Sequence, residues 1–186
     1  MLMAELDFSR IVTINADGDK TTSLVIGVFK GNVSITIWTR SNNAGPVVKI
    51  PLPRSALTHI KECLQKILTG SPGSKIGTSF TKWDNETKKS SPLGVLHVGR
   101  DDKAHICLAV QAPSFPSMKF TLKTPGSFDS SEPLTDVQRS ELSARTLIDQ
   151  LNTDIPVAIA LTSEKREGIP QNNRNSSQNR DSGFSF

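Results

Sequence analysis

Trp38 and Arg40 stand two residues apart in the stretch Val33 to Arg40, and Phe29 and Lys30 sit just upstream beside Gly31 and Asn32. Flat side chains stack on unpaired bases and neighbouring cations hold phosphates, so this grouping suits a single-stranded nucleic acid. Lys49, Arg100, Lys103, Lys119 and Lys123 would add phosphate contacts. Lys82 and Trp83 lie in a locally basic stretch with Lys75, Lys88 and Lys89. That stretch reads either as an arm that clamps the ligand or as a solvated linker. Tyr is absent and aromatic residues make up 5% of the chain, so stacking falls to eight Phe and two Trp.

Other chemistries find little footing. His59, His97 and His105, with Cys63 and Cys107, raise the question of zinc. No Cys-x-x-Cys or His-x-x-x-His spacing occurs, so these read as ordinary structural residues and no metal is expected. Asp17-Gly18-Asp19 is too short for a calcium loop and reads as a turn. There is no phosphate-binding loop, dinucleotide fingerprint or Gly-x-Ser-x-Gly elbow. The expectation is a non-catalytic chain without a cofactor.

The 186 residues carry a formal charge of +4 and a pI near 9.2, which suits a polyanionic partner. With 35% hydrophobic and 22% charged residues, most of the chain can fold as a soluble globule. Glu5 and Asp7 follow the opening Met1 to Ala4, and no basic region leads into an apolar stretch. No apolar run approaches the ~18 residues of a membrane span. An intracellular protein, cytoplasmic or nucleoid-associated, is therefore expected, with no membrane partner. Two cysteines do not make a disulfide framework.

The elements that would position these residues are mostly strands. Residues 8–15, 23–29, 33–40 and 47–52 read as strands from β-branched runs and alternation. In the third, Val33, Ile35 and Ile37 point one way while Ser34, Thr36, Trp38 and Arg40 point the other. Leu57, Ile60, Leu64, Ile67 and Leu68 form the stripe of a helix over 54–68, between Pro53 and Gly70. The order then recurs: a possible strand at 75–83, a polar loop at 84–92, and strands at 93–99, 104–111 and 118–123. A capping box at Thr135 to Gln138 opens a second helix, roughly 136–151. Ile155 to Leu161 reads as a closing strand or a docking segment.

This gives an α+β fold with two antiparallel four-stranded sheets, each followed by a helix (ββββα-ββββα). Residues 1–70 form a first unit and 71–92 a linker with a possible strand. Residues 93–162 form a second unit, compact with the first. From Ser163 to Phe186 the chain is rich in Asn, Gln and Ser, and a disordered polar tail is expected. Phe184 and Phe186 are candidate anchors there for partner proteins of replication.

The stretch Val28-Phe29-Lys30-Gly31-Asn32-Val33-Ser34-Ile35-Thr36-Ile37, with Ile50-Pro51-Leu52 and the helix from Arg54, resembles the core of the positive-cofactor-four transcriptional coactivators. The resemblance covers about residues 20–68, and the duplicated layout looks like the related Whirly proteins. It implies single-stranded DNA binding on curved sheets without catalysis, and homo-oligomers, dimers or tetramers. Phe29 and Lys30 match the family's aromatic and basic turn positions. Asn32 stands where the family has Lys, Trp38 near a family Arg and Arg40 near a family Trp. The implied role is sequence-independent binding in DNA replication, recombination or repair. RNA binding or transcriptional regulation stays open beside it, as does a protein-interaction module.

Overall fold

Alternation between apolar and polar residues decides the first half of the molecule. The computed structural model describes residues 7–40, 45–113, 115–123 and 132–164. Its first sheet is an antiparallel meander of β1 (Val12–Ala16), β2 (Asp19–Phe29), β3 (Asn32–Thr39) and β4 (Val48–Leu52). Register places Val12, Ile26, Ile35 and Ile50 in one row across the four strands. Ile14, Leu24, Ile37 and Val48 make the next row on the same, inward face. α1 (Arg54–Leu68) follows and buries Leu57, Ile60, Cys63, Leu64 and Ile67.

The second sheet repeats the order with β5 (Lys75–Asp84), β6 (Lys89–Arg100), β7 (Ile106–Ala112) and β8 (Phe115–Thr121). Ile76, Val98, Leu108 and Phe120 form an inward row. α2 (Asp136–Asn152) starts at the expected capping box, Gln138 N donating to Thr135 Oγ1 at 3.2 Å and Thr135 N to Gln138 Oε1 at 2.8 Å. The inward faces of both sheets and the stripes of α1 and α2 belong to one hydrophobic core. The chain is thus an α+β fold with the ββββα-ββββα layout, to which a last helix, α3 (Asp154–Glu164), is added.

Of the closing strand or docking segment expected at 155–161, that helix rules out the strand. A seven-residue apolar run does not distinguish helix from strand by periodicity. Here Ile155 and Ala158 are fully buried, three residues apart on one helical face. Pro156 is tolerated because it lies in the first turn, where its missing N–H would have no partner.

The possible strand expected at 75–83 is present as β5. β5 and β6 pair from Lys75 with Gly99 out to Asp84 with Lys89, with a bulge at Phe80/Thr81, so the polar loop is mostly hairpin. Most of residues 81–92 are exposed. A hairpin solvated on both faces carries no apolar alternation to read. β1 is shorter at its start than expected, because the chain bulges at Ser9 and Arg10 before pairing is regular.

Two polar joints tie the halves. Arg100 is buried; its Nε donates to Ile67 O at 3.2 Å and its Nη2 to Leu68 O at 2.9 Å, at the C-terminus of α1. Nη1 reaches Ala104 O at 2.9 Å, and Nη2 also meets Glu141 Oε1 of α2 at 2.7 Å. At the second joint, Asp17 N donates to Lys119 O at 3.0 Å, and the Asp17 carboxylate accepts Thr121 N at 3.2 Å and Thr121 Oγ1 at 2.6 Å. Lys119 Nζ lies 3.3 Å from Asp17 and 3.2 Å from Asp101.

Removing Arg100 leaves the Ile67, Leu68 and Ala104 carbonyls without that donor and the partly exposed Glu141 without its ion partner, at a cost of about 1–3 kcal/mol. Arg100→Ala should lower the unfolding free energy by that much in urea titration; a loss below about 1 kcal/mol would mean the joint is dispensable. Burial pushes the Asp17 and Asp101 carboxyls up. The hydrogen bonds from Thr121 to Asp17 and from the His105 amide to Asp101, together with Lys119, outweigh it and leave both low. Their contribution is complete above the unfolded value near ~3.9 and is lost as pH falls through the folded values. Asp17→Asn should therefore flatten the fall of Tm between about pH 5 and pH 2, and an unchanged slope would contradict the joint's role.

Candidate nucleic-acid interface

On β3 every second side chain from Trp38 through Thr36 and Ser34 to Asn32 lies on the outward face, a line roughly 20 Å long at ~3.3 Å per residue. Trp38 does not stand free on it. Its Nε1 donates to Thr36 Oγ1 at 3.0 Å, and the Arg10 guanidinium sits 5.4 Å from the ring centroid. Arg10 reaches this place because Val28 N donates to Phe8 O at 2.8 Å and Ile11 N to Ile26 O at 3.0 Å. Ser9 and Arg10 are thereby thrown across Gly27, where any side chain would collide with the Ser9 carbonyl. Lys49 is exposed in the same outward row as Thr13, Val25 and Thr36, and Arg40 is exposed just past the end of β3.

The line ends at the β2–β3 turn. Lys30 and Gly31 both take positive φ, 50° and 73°, which matches the right-handed twist of a two-residue hairpin. Phe29 is 63% exposed at this tip, pairs with Asn32 across the hairpin, and carries Lys30 Nζ 5.3 Å from its ring centroid. α3 holds the tip from behind. Gly31 N donates to Thr162 Oγ1 at 3.0 Å, and Thr162 Oγ1 donates in turn to Ala158 O at 2.6 Å. A Cβ at Gly31 would meet Ser163 Oγ at 2.6 Å, so a larger residue would have to displace that hydroxyl and adopt a positive φ.

Opposite the tip stands the β5–β6 hairpin, here termed the arm. Trp83, 57% exposed, and Lys82 project from it. The Asp84 carboxylate fixes its turn by accepting Glu86 N at 2.9 Å and Thr87 Oγ1 at 2.8 Å. Between tip and arm base runs an open groove of about 800 Å³. Asn32 lines it on the tip side, Phe80, Thr81 and Leu93 on the arm side, and Arg54 and His59 of α1 between them. Trp83 lies two residues beyond Thr81 along β5, on the same side of that strand. Pro53 gives α1 no side-chain cap and its first turn holds no acid, so this end of the helix is electropositive.

Of the residues expected from the sequence, Asn32 lines this groove, Phe29 and Lys30 stand on the tip and Lys82 and Trp83 on the arm that flank it, and Trp38, Arg40 and Lys49 lie on or just past β3 and β4 of the first sheet. The remaining basic candidates lie elsewhere. Arg100 corrects the sequence reading: its guanidinium is buried in the joint described above and faces no ligand. Lys119 is half-exposed but held between two carboxylates. Burial works against its charge, yet Asp101 and Asp17 keep its ammonium above the ordinary lysine value. Lys103 is exposed in a turn whose Asp101 accepts its N–H at 3.0 Å, beside Asp102. Lys123 lies with Lys20 and Asp17 on a separate groove between β1 and α2.

Arg10, Arg54 and His59 are the residues that sequence reasoning missed. Arg54 had a visible signal, a basic residue directly after the Pro that opens a helix. Arg10 had none, since its position depends on the bulge. His59 Nε2 lies 3.5 Å from Cys63 Sγ, but burial pushes the thiol up, so the pair is no activated nucleophile. Among the described residues no cluster of His, Cys, Asp and Glu is arranged to hold a metal, and no helix is long and apolar enough to cross a membrane. Phe184, Phe186 and the expected polar tail from 165 onward lie outside the described residues. Comparison of the chain with protein-family models, with curated proteins and with solved structures finds no match.

Proposed function

We propose that this chain binds single-stranded DNA, with little sequence preference, in replication, recombination or repair. The observation that carries the reading is the pair of exposed aromatics, Phe29 with Lys30 over its ring and Trp83 next to Lys82 in sequence, each on a hairpin flanking the same groove. Exposed aromatic faces next to mobile cations are the two ingredients of single-strand binding. The outward line of β3, with Lys49, Arg40 and the Arg10–Trp38 stack, continues the path. The resemblance of residues 20–68 to the positive-cofactor-four core points the same way. Self-association is part of the proposal: Val157 and Leu161 of α3 are exposed one helical turn apart, an apolar face suited to a second copy. Linked copies would multiply weak contacts along one strand.

Fluorescence anisotropy with a labelled oligo-dT tests this, with duplex DNA as control and RNA as competitor. The protein should prefer the single strand and weaken log-linearly with salt. Phe29→Ala and Trp83→Ala should each cost about 1–3 kcal/mol of binding. Lys30→Ala and Lys82→Ala should each reduce the salt slope by about 0.7. Lys119→Ala should leave the slope as it is. No binding at low salt would remove the proposal and favour a protein-interaction module.

A further inference from the structure

The groove between tip and arm has walls of two kinds. Its depth is apolar: Val33, Leu52, Phe80 and Leu93 line it. Its polar lining comes from Asn32, Arg54, His59 and several hydroxyls, and among the described residues no Asp or Glu lines it. A site without carboxylates and with a guanidinium is complementary to an anion, while the apolar depth suits a flat ring. The groove's volume of about 800 Å³ falls within the roughly 300–1,000 Å³ of small-ligand sites.

Resting on the reading above, we propose that the groove is a nucleobase site. One base of the bound strand turns out of its stack and enters the groove against the wall made by Phe80 and Leu93, with its backbone passing Arg54 at the rim. Phe29 and Trp83 stack the bases on either side. Asn32 offers both a donor and an acceptor to the edge of the inserted base, although its amide now donates to Lys30 O at 3.2 Å and must exchange that bond. A base inserted in this way cannot be paired, so the site selects single strands by shape. It also gives the chain a preference among bases at one position in each footprint, which surface stacking alone does not give.

Filling the groove without altering its charge separates this from the general reading. Ala56 on α1 and Ser79 on β5 both line it, and neither is buried. Ala56→Trp and Ser79→Trp are each checked for folding by thermal melting, so a folding defect in one leaves the other informative. Either filled variant should bind oligo-dT at least tenfold more weakly, with an unchanged salt slope. In the wild type a single 2-aminopurine in the oligonucleotide should change fluorescence on binding as it leaves its stack, and in the filled variants it should not. Wild-type affinity and an unchanged probe signal in a folded variant would overturn the base site and leave the binding reading standing. A wild-type chain that binds no oligonucleotide would overturn both.

Discussion

The guanidinium of Arg100 determines how the two halves meet. The last carbonyls of a helix have no partner within it. Those of Ile67 and Leu68 point at a cation from the other repeat, at the end of α1 where the helix dipole favours positive charge. A buried guanidinium is tolerated only when its donors are met. Here they are met by α1, by the Ala104 carbonyl and by Glu141, so one side chain fixes α1, the β6–β7 turn and α2 together. Ala104 takes a φ of 65°, a left-handed conformation that costs a non-glycine residue about 1 kcal/mol or more. The hydrogen bond from Arg100 to its carbonyl helps to offset that strain.

This joint divides the work between the repeats. In the second, Arg100 and Lys119 are engaged by carboxylates and carbonyls, Lys103 sits beside Asp101 and Asp102, and the arm carries further exposed lysines. In the first, Lys30, Arg40, Lys49 and Arg54 remain exposed. The second sheet contributes its arm to the candidate site. Two repeats of one layout therefore offer a polyanion unequal surfaces, and the more basic one adjoins the groove.

Elements buried on one face were legible in the sequence. Val33 to Trp38 fixed a strand and its facing, and Thr135 to Gln138 fixed the start of a helix. Legibility failed where burial does not alternate. The outer arm is solvated on both faces, so its pairing left no periodic trace, and Ile155 to Leu161 lacked polar residues to mark a helical face. Of the site, Phe29 and Lys30 could be placed at a tip because Gly31 beside Asn32 marks a turn. Arg100 was misjudged because a lone Arg before Asp-Asp looks solvated, and the carbonyls it serves lie 32 and 33 residues away in sequence. The groove was invisible for the same reason: its walls come from β3, α1 and β5, which only the fold brings together.

The two walls of that groove differ in stiffness, and the difference has a physical origin. The tip is braced: Gly31 N is bonded to Thr162, whose helix is anchored by the fully buried Ile155 and Ala158. Phe29 is thus presented on a turn already in its final geometry, and binding there need not order a loop. Among the described residues the arm has no such brace. Beyond Phe80 it is held by its own hairpin pairing and the Asp84 turn, with few buried side chains, and such segments open at low free-energy cost. The proposed binding would therefore set a braced aromatic, Phe29, on one side of the strand and an unbraced one, Trp83, on the other.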